Sequence, residues 1–266
     1  MSKYKMVALD LDGTLLNNKS EISQKNIEIL RSLHQDGIEI IIATGRTFLT
    51  SKQYGKILDL PIHMICSNGA IIKDLKEEKS IYSKSIKIEE TEKLLKFGIQ
   101  NKINVTVYED SMIYLNEKSD FLVNLFQQYE IPHMISKNLI NKIERDPQMV
   151  IFRDYMDNIA HLEKFIKEEG MSLSLTHSTP HSVEIMADGV NKYSGVSYYA
   201  KMKGIKNEEI ITMGNSMNDY EMLKYSGLGI AMKNSDELLL EKFSNLSEKD
   251  NDENGVYEEL YKIFYN

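Results

Sequence analysis

The chain has 266 residues, which is enough to bury a large hydrophobic core in one large domain or two smaller ones. Its 40 acidic residues outnumber its 32 basic ones, giving a net charge of -8. This balance argues against nucleic acid and anionic membranes as partners. A single cysteine, Cys66, excludes an intrachain disulfide and a cysteine metal cluster.

The sequence contains neither a basic segment followed by an apolar signal region nor a run of roughly 20 apolar residues that could cross a bilayer. We therefore expect a cytoplasmic protein without a membrane partner, either a monomer or a homodimer.

The first eighty residues alternate between short apolar runs and helical patterns. Residues 5–9 are typical of a strand buried on both faces, and residues 23–37 have the capping residues and spacing of a helix. Two further apolar runs, at 38–43 and 63–65, flank a helix-like segment that ends at Leu58. Strand and helix in this alternation predict a parallel sheet.

The pattern changes at about residue 83 and returns after residue 189. Between these positions we predict strands at 104–109, 112–116, 149–152, 172–176 and 182–186, and helices at 89–102 and 158–169. After them we predict a helix at 192–203, a strand at 210–213, a helix from near 219 and a strand at 227–232. The fold class is therefore α/β: a Rossmann-like, doubly wound parallel core of residues 1–82 and 189–266, with an α+β cap domain of residues 83–188 inserted.

Polar residues follow the predicted core strands at the edge where open parallel sheets bind ligands. The first strand ends in Asp10 and Asp12, the second ends in Thr44 and Gly45, and Lys192 begins the helix after the insert. Two carboxylates in one turn at a buried strand end are costly without a partner. A divalent cation removes that cost, and a donor set made only of oxygen favours Mg²⁺.

The hydroxyl, backbone amide and ammonium groups expected at this edge suit a phosphate group. An aspartate beside Mg²⁺ is a competent nucleophile toward phosphorus and would form an aspartyl phosphate that water hydrolyses. Each feature alone has an ordinary structural explanation, as a cap, a turn or a solvated lysine. Their joint order is what points to phosphoryl transfer.

Four sequence motifs occur in the order found in a known family: DLDGTLL at 10–16, ATGR at 43–46, GVNK at 189–192 and GNSMNDYEML at 214–223. With SNGA at 67–70, they resemble the haloacid dehalogenase superfamily, specifically the Cof-type phosphatases of subfamily IIB, which have a large C2-type cap inserted in the core. The resemblance spans nearly the whole chain.

The resemblance implies a role for each matching residue. Asp10 would be the nucleophile, and Asp12 would be the general acid and then the general base, offering the metal its backbone carbonyl. The phosphoryl group would be held by Thr44, the Gly45 amide and Lys192. The implied metal ligands are Asp10, Asp12, Asn215 and Asp219, and the implied substrate contacts are Arg46, Asn68 and Asn218. Arg46 has the alternative role of anchoring the helix that follows it.

The sequence departs from the family pattern at two positions. Asn215 occupies a position where the family usually has aspartate, so one negative charge is missing and we expect weaker metal binding. Tyr193 follows the motif lysine where glycine is usual, and it would either crowd the substrate entrance or pack against the core.

The function implied is a Mg²⁺-dependent phosphatase acting on small phosphomonoesters, such as sugar phosphates or related metabolites. Two alternatives remain open: a phosphosugar mutase using the same aspartyl intermediate, and a catalytically weakened metabolite-binding or regulatory homologue. The second is suggested by Asn215. In the cap, the polar candidates for contact with the substrate are Tyr108, His177, His181 and Glu184.

Overall fold

The computed structural model describes residues 3–179 and 181–266, so two residues of the predicted core and one of the predicted insert lie outside it. The strands are β1 Met6–Leu9, β2 Glu39–Ala43, β3 His63–Cys66, β4 Ile71–Asp74, β5 Ser80–Ser83, β6 Asn104–Tyr108, β7 Ile113–Leu115, β8 His133–Ile135, β9 Met149–Arg153, β10 Leu173–Thr179, β11 Ser182–Ala187, β12 Ile210–Gly214 and β13 Leu228–Ala231. The α-helices are α1 Gln24–Gln35, α2 Phe48–Leu58, α3 Ile88–Gln100, α4 Asp120–Gln128, α5 Met156–Glu168, α6 Lys192–Met202, α7 Tyr220–Tyr225, α8 Glu237–Lys242 and α9 Gly255–Tyr265.

The chain divides into two compact units. The first comprises Met1–Arg46, Ser51–Tyr82 and Asn191–Asn266, and the second comprises Thr47–Thr50 and Ser83–Val190. Within the described ranges, no helix combines the length and apolar character needed to span a bilayer.

The first unit is built on a sheet with the strand order β13-β12-β1-β2-β3-β4-β5. The strands from β13 to β3 pair in parallel, which confirms the predicted Rossmann-like core. Strand β4 pairs with β3 in the antiparallel direction, so the parallel prediction does not extend to this edge. The reason is the short connection between these strands, because a parallel crossover requires a dozen or more residues.

Burial on both faces of the sheet explains the apolar run before the first motif. All four residues of β1 are fully buried, and this strand lies between β12 and β2. Helix α6 packs Val196, Tyr199 and Ala200 into the same core. The strand that carries Asp10 is therefore held from both sides, and the position of its last residue is fixed.

The second unit has the strand order β10-β11-β9-β6-β7-β8 and is antiparallel except between β7 and β8. Alternate residues of its inner strands, including Val105, Phe152 and Val183, form a core with Leu94 of α3 and Leu162 of α5. The strands predicted at 104–109 and 112–116 are present as the antiparallel pair β6 and β7. Helix α4 and strand β8 were not predicted, and both are short and carry few buried residues.

A network of titratable side chains lies in the first unit at the start of the core strands. The Tyr199 hydroxyl donates to Glu39 and lies 3.0 Å from His63 Nδ1, while Lys203 Nζ lies 3.3 Å from Glu39 Oε1. Burial lowers the pKa of His63 below its ordinary value of 6.5, although Asp74, 3.6 Å from Nε2, acts in the opposite direction.

This depressed pKa predicts how stability changes with pH. The unfolded chain takes up a proton at His63 more readily than the folded protein, so the contribution of His63 is lost as the pH falls through the ordinary histidine range. We expect the free energy of unfolding to fall more steeply between about pH 8 and about pH 5.5 in the native protein than in His63→Gln. Chemical denaturation at a series of pH values measures both slopes.

Asp74→Asn provides the complementary test. Because Asp74 raises the pKa of His63, its removal should make the decline steeper. Equal slopes in all three proteins would contradict the assignment.

Candidate active site

The C-terminal ends of the core strands bring together three charged side chains that are far apart in the sequence. Lys192, at the start of α6, places Nζ 2.7 Å from Asp10 Oδ1 and 2.6 Å from Asp219 Oδ1. All three residues are buried, with exposures of 1% for Lys192, 4% for Asp10 and 0% for Asp219. One ammonium group therefore bridges two carboxylates in a site with little access to water.

The charges at this site perturb one another strongly. Burial raises the pKa of Asp10 to about 7, opposed by the nearby Lys192 ammonium and reinforced by the charges of Asp219 and Asp12. Burial lowers the pKa of Lys192, but the two carboxylates outweigh this effect and the net shift is upward. Lys192 therefore stays protonated. The ionised form of Asp10 is destabilised, and further positive charge nearby would stabilise it.

Asp12 occupies a different environment from Asp10. Its side chain is half exposed and accepts two hydrogen bonds from Arg46, one of them from Nε at 2.7 Å. Arg46 is itself held by Tyr54, whose ring lies 5.0 Å below the guanidinium carbon and whose hydroxyl accepts from Nη1 at 3.3 Å. The carboxylate of Asp12 is thus directed to Arg46.

The Asn215 side chain provides the test of whether this site suits Mg²⁺. One terminal atom of its amide lies 2.6 Å from the Asp12 carbonyl oxygen and 3.2 Å from Asp10 Oδ2. A nitrogen in this position donates to both oxygens. An oxygen in this position completes a cluster of carboxylate, carbonyl and amide oxygens of the kind that hard divalent cations bind. Either orientation is available to an asparagine amide, so these residues fit the ion.

The rest of the donor chemistry is consistent with a hard cation. Among residues 3–179 and 181–266 there is no group of three or more His, Cys, Asp or Glu side chains placed to hold a metal ion. A metal here would therefore depend on backbone and amide oxygens as well as on the Asp10 carboxylate, and such sites leave room for water and substrate oxygens.

Asp219 was predicted as a metal ligand, which stays a prediction, and both of its oxygens also have partners within the protein. Oδ1 accepts from Lys192, while Oδ2 accepts from the backbone amides of Asn215 at 2.9 Å and Ser216 at 3.0 Å. Both oxygens are thus already bonded within the protein. Asp219 therefore orients Lys192 and fixes the loop that carries Asn215.

The end of β2 supplies the predicted donors for an anion. Thr44 is fully buried, and its hydroxyl oxygen accepts from the Arg46 amide at 3.1 Å, so its proton is available to another acceptor. A Cβ on Gly45 would lie 3.0 Å from Asn68 Oδ1. Because residue 45 has no side chain, its backbone packs closely against Asn68.

Asn68 and Asn218 form a pair at the same site. Asn218 Nδ2 donates to Asn68 Oδ1 at 3.1 Å, and Asn68 is almost fully buried. Asn218 Oδ1 is a buried oxygen without a hydrogen-bond partner among the described groups. Such an oxygen is costly to bury, so it marks a position where a donor from another molecule would be stabilising.

The connection from β3 to β4 holds several of these groups together in an unusual backbone conformation. Ser67, Asn68 and Gly69 have φ values of +50°, +52° and +98°. The Ser67 amide donates to the Arg46 carbonyl at 2.8 Å, and the Asn68 amide donates to the Thr44 carbonyl at 3.1 Å. The loop thereby fixes the end of β2, and the energy stored in its left-handed residues is offset by these bonds.

Several contacts at the site were not anticipated from the sequence. Tyr54 lies outside the motifs, yet it holds Arg46. Thr14 lies within the first motif but was given no role, and its hydroxyl lies 3.2 Å from Asn215 Oδ1. Tyr193 was expected either to crowd the substrate entrance or to pack against the core, and its contacts agree with packing. Its hydroxyl accepts from Asn207, its ring lies 5.2 Å from that of Tyr225, and it packs against the core.

The four cap candidates fall in different places within the second unit. Tyr108 and Glu184 lie on the sheet face opposite the helices. Glu184 pairs with Ile151 of β9, and Ile151 pairs in turn with Thr106, which lies two residues before Tyr108 on β6. His177 instead lies beside Glu163 of α5, with 2.7 Å between Nε2 and Oε1, and its contact with a substrate stays a prediction. His181 lies in the turn between β10 and β11.

Comparison with known proteins identifies the family. The model of haloacid dehalogenase-like hydrolases matches residues 7–260, and the chain belongs to this family. The family identification made from the motifs is confirmed, and the chain is a hydrolase.

The similarity to individual proteins extends over their full length. The chain is 29% identical to the Bacillus subtilis (strain 168) 5-amino-6-(5-phospho-D-ribitylamino)uracil phosphatase YcsE, over 95% of this chain and 92% of that protein. It is 30% identical to the phosphatase YwtE of the same strain, named for the same substrate, over 95% of both chains. A haloacid dehalogenase-like hydrolase from Bacteroides thetaiotaomicron shares the fold, with a TM-score of 0.86, 24% identity and coverage of 98% of this chain and 100% of that chain.

The contact between Gly69 and α6 yields a prediction. A Cβ on Gly69 would lie 2.2 Å from the carbonyl oxygen of Asn191, the residue before Lys192. We expect Gly69→Ala to displace the start of α6 and to reduce hydrolysis of an aryl phosphate at least about tenfold, since small misplacements of catalytic groups are costly. It should also lower the free energy of unfolding by about 1 to 3 kcal/mol beyond backbone strain alone.

Gly37→Ala is the matched control. Gly37 also has a left-handed backbone, with φ of +85°, but a Cβ there meets nothing within 4 Å. Its substitution should cost about 1 to 2 kcal/mol and leave activity unchanged. Equal losses of stability and activity in both variants would show that the Gly69 contact does not position the site.

Proposed function

We propose that the chain is a Mg²⁺-dependent phosphatase that hydrolyses small phosphomonoesters through an aspartyl-phosphate intermediate. The single observation that carries this proposal is the buried Lys192 ammonium between Asp10 and Asp219, beside the Asp10 carboxylate, the Asp12 carbonyl and the Asn215 amide. The full-length similarity to phosphatases supports the reaction class. Sugar phosphates and the ribitylaminouracil phosphate for which two relatives are named are the candidate substrates.

In the first step, an Asp10 oxygen attacks the phosphorus atom and the bond from phosphorus to the leaving oxygen breaks. Lys192 keeps Asp10 oriented through the 2.7 Å bond and offsets the negative charge that gathers on the phosphoryl oxygens. Thr44 and the Gly45 amide donate to the same oxygens. Mg²⁺, bound by Asp10, the Asp12 carbonyl and Asn215, would neutralise charge on the carboxylate and on the phosphoryl group.

Asp12 transfers the protons. It donates one to the leaving alcohol, and in the second step it takes one from the water that attacks the aspartyl phosphate and breaks its oxygen–phosphorus bond. Before it can act, its carboxylate has to leave Arg46, which holds it through two hydrogen bonds. Arg46 therefore sets the resting position of the acid, and contact with the substrate is a second role proposed for it.

A second candidate function follows from Asn215, which replaces the usual carboxylate with a neutral amide. In the orientation that donates to Asp10 and Asp12, this amide satisfies their oxygens without a cation. A protein with that preference would bind phosphorylated metabolites and turn them over poorly. A mutase would use the same intermediate and is separated from both by product analysis, because it converts one phosphosugar into another without releasing phosphate.

The nucleophile is tested by Asp10→Asn. We expect loss of aryl phosphate hydrolysis to no more than a few per cent of the native rate, because an amide oxygen cannot form the covalent intermediate. The fold should survive, since Lys192 keeps Asp219 as its partner. Phosphate release from an aryl phosphate, and from a panel of phosphorylated metabolites, measures the effect.

Asp59→Asn controls for the loss of one carboxylate, because Asp59 is an exposed residue whose left-handed backbone suits asparagine. It should retain native activity. A folded Asp10→Asn protein with substantial turnover would refute the role of Asp10.

Asn215→Asp tests the metal site. The added carboxylate should lower the Mg²⁺ concentration needed for half-maximal activity, because it supplies a charged ligand. Without Mg²⁺ it should lower thermal stability, since it places another negative charge beside Asp10. Addition of Mg²⁺ should therefore raise the melting temperature more than it does in the native protein.

Gln35→Glu, which adds the same charge at an exposed position on α1, should change neither quantity. An Asn215→Asp protein with an unchanged Mg²⁺ requirement would exclude residue 215 from the metal site. Native protein that stays inactive at every Mg²⁺ concentration would favour the binding function.

A further inference from the structure

A polar groove of about 550 Å³ lies within the second unit, at one end of its sheet. Asn104, Arg153 and Ser182 lie side by side on adjacent strands, because Arg153 pairs with Asn104 on one side and with Ser182 on the other. Thr179 follows as the partner of Ser182 on β10. One row of polar side chains therefore crosses four strands at the base of this groove.

The groove lies on the sheet face opposite the helices. The residues that alternate with this row, Val105, Phe152 and Val183, point into the core beneath α3 and α5. Along β11, the groove residue Ser182 is five residues from Ala187, or about 17 Å at the usual rise of a strand. The groove is therefore at the far end of β11 from the point where the chain leaves this unit.

Arg153 gives the groove its chemical character. It is half-buried, and its Nη1 donates to Thr106 Oγ1 at 3.2 Å, which uses only part of the guanidinium fork. None of the ion pairs found among the described residues involves Arg153. Its neighbour Asp154 also lines the groove and keeps its negative charge, but its Oδ1 accepts from the Tyr155 amide at 2.7 Å and no ion pair among the described residues joins it to Arg153. A half-buried guanidinium without a carboxylate partner favours an anionic ligand.

The remaining walls suit an anion attached to a flat group. His181 lines the groove, and the hydroxyls of Thr179 and Ser182 lie 3.0 Å apart on its floor. Tyr155, just before α5, is 78% exposed and presents an aromatic ring at the rim. An exposed aromatic ring beside a cation is a common arrangement for holding the ring of a ligand whose charged group contacts the cation.

We propose that this groove is a binding site for the phosphate or carboxylate group of a small metabolite, with Arg153 pairing with the charge and Tyr155 contacting an attached ring. All of its residues belong to the second unit, and none takes part in the reaction proposed for the first. The proposal therefore stands or fails independently of the phosphatase assignment.

Phenylphosphonate and methylphosphonate are suitable probes, because their carbon–phosphorus bonds resist phosphatase action. Binding to the full chain is followed through the imidazole NMR signals of His181, assigned with His181→Gln. We expect saturable shifts, with phenylphosphonate binding more tightly than methylphosphonate. Tyr155→Ala should abolish this preference and Tyr155→Phe should retain it, since the ring supplies the contact.

Arg153→Gln should weaken phenylphosphonate binding at least about tenfold, the effect expected for loss of a charge-assisted pair. Lys167→Gln is the matched control, because it removes one positive charge from the exposed far end of α5 and should leave affinity unchanged. If Arg153→Gln is unstable, Asn104→Ala tests the same row of residues through an exposed position and should weaken binding severalfold.

Benzoate distinguishes the two anion types: tighter binding than phenylphosphonate assigns a carboxylate ligand, and weaker binding assigns a phosphate. Absence of saturable shifts for all three probes would overturn the proposal. Equal weakening by Arg153→Gln and Lys167→Gln would also overturn it, because the effect would then be one of general charge. Folded Asn104→Ala and Arg153→Gln proteins with native affinity would do the same.

Discussion

The site depends on a single buried ammonium group. Lys192 lies between Asp10 and Asp219, and without it two carboxylates would face each other in a place that water barely reaches. Removing one partner of such a buried set typically costs about 3 to 5 kcal/mol, because an uncompensated charge remains. The fold supports this arrangement by fixing Lys192 at the start of α6 and Asp10 at the end of a fully buried strand.

The charge balance of the site explains what Asn215 changes. The carboxylates of Asp10, Asp12 and Asp219 are offset by Lys192 and Arg46, so the group carries one net negative charge when all are ionised. A divalent cation reverses the sign, and the site then attracts a phosphate dianion. An aspartate at position 215 would leave the loaded site neutral. Compared with aspartate, asparagine at position 215 would therefore weaken binding of the cation and strengthen the attraction of the loaded site for an anion.

The sequence was sufficient to predict the five parallel strands of the core sheet, because buried strands read as apolar runs and the motifs follow them directly. The sequence could not show which groups form hydrogen bonds with each carboxylate oxygen at the site. For Asp219, the sequence indicated a metal ligand but not the hydrogen bonds that its oxygens accept from Lys192 and from two backbone amides. Tyr54 lies eight residues after Arg46 and has no distinguishing pattern. The short antiparallel strand β4 was not predicted from the sequence.

The loop of left-handed residues after β3 shows how strain and position are connected in this unit. Ser67 and Asn68 have conformations that L-residues seldom adopt, at a typical cost of about 1 to 3 kcal/mol each. Their backbone amides hold the carbonyls of Arg46 and Thr44, and Gly69 lies against the residue before Lys192. Relaxing the loop would break these bonds and move the donors apart. The strain persists because the same loop fixes both the end of β2 and the start of α6, so the packing of the core supports the geometry of the candidate active site.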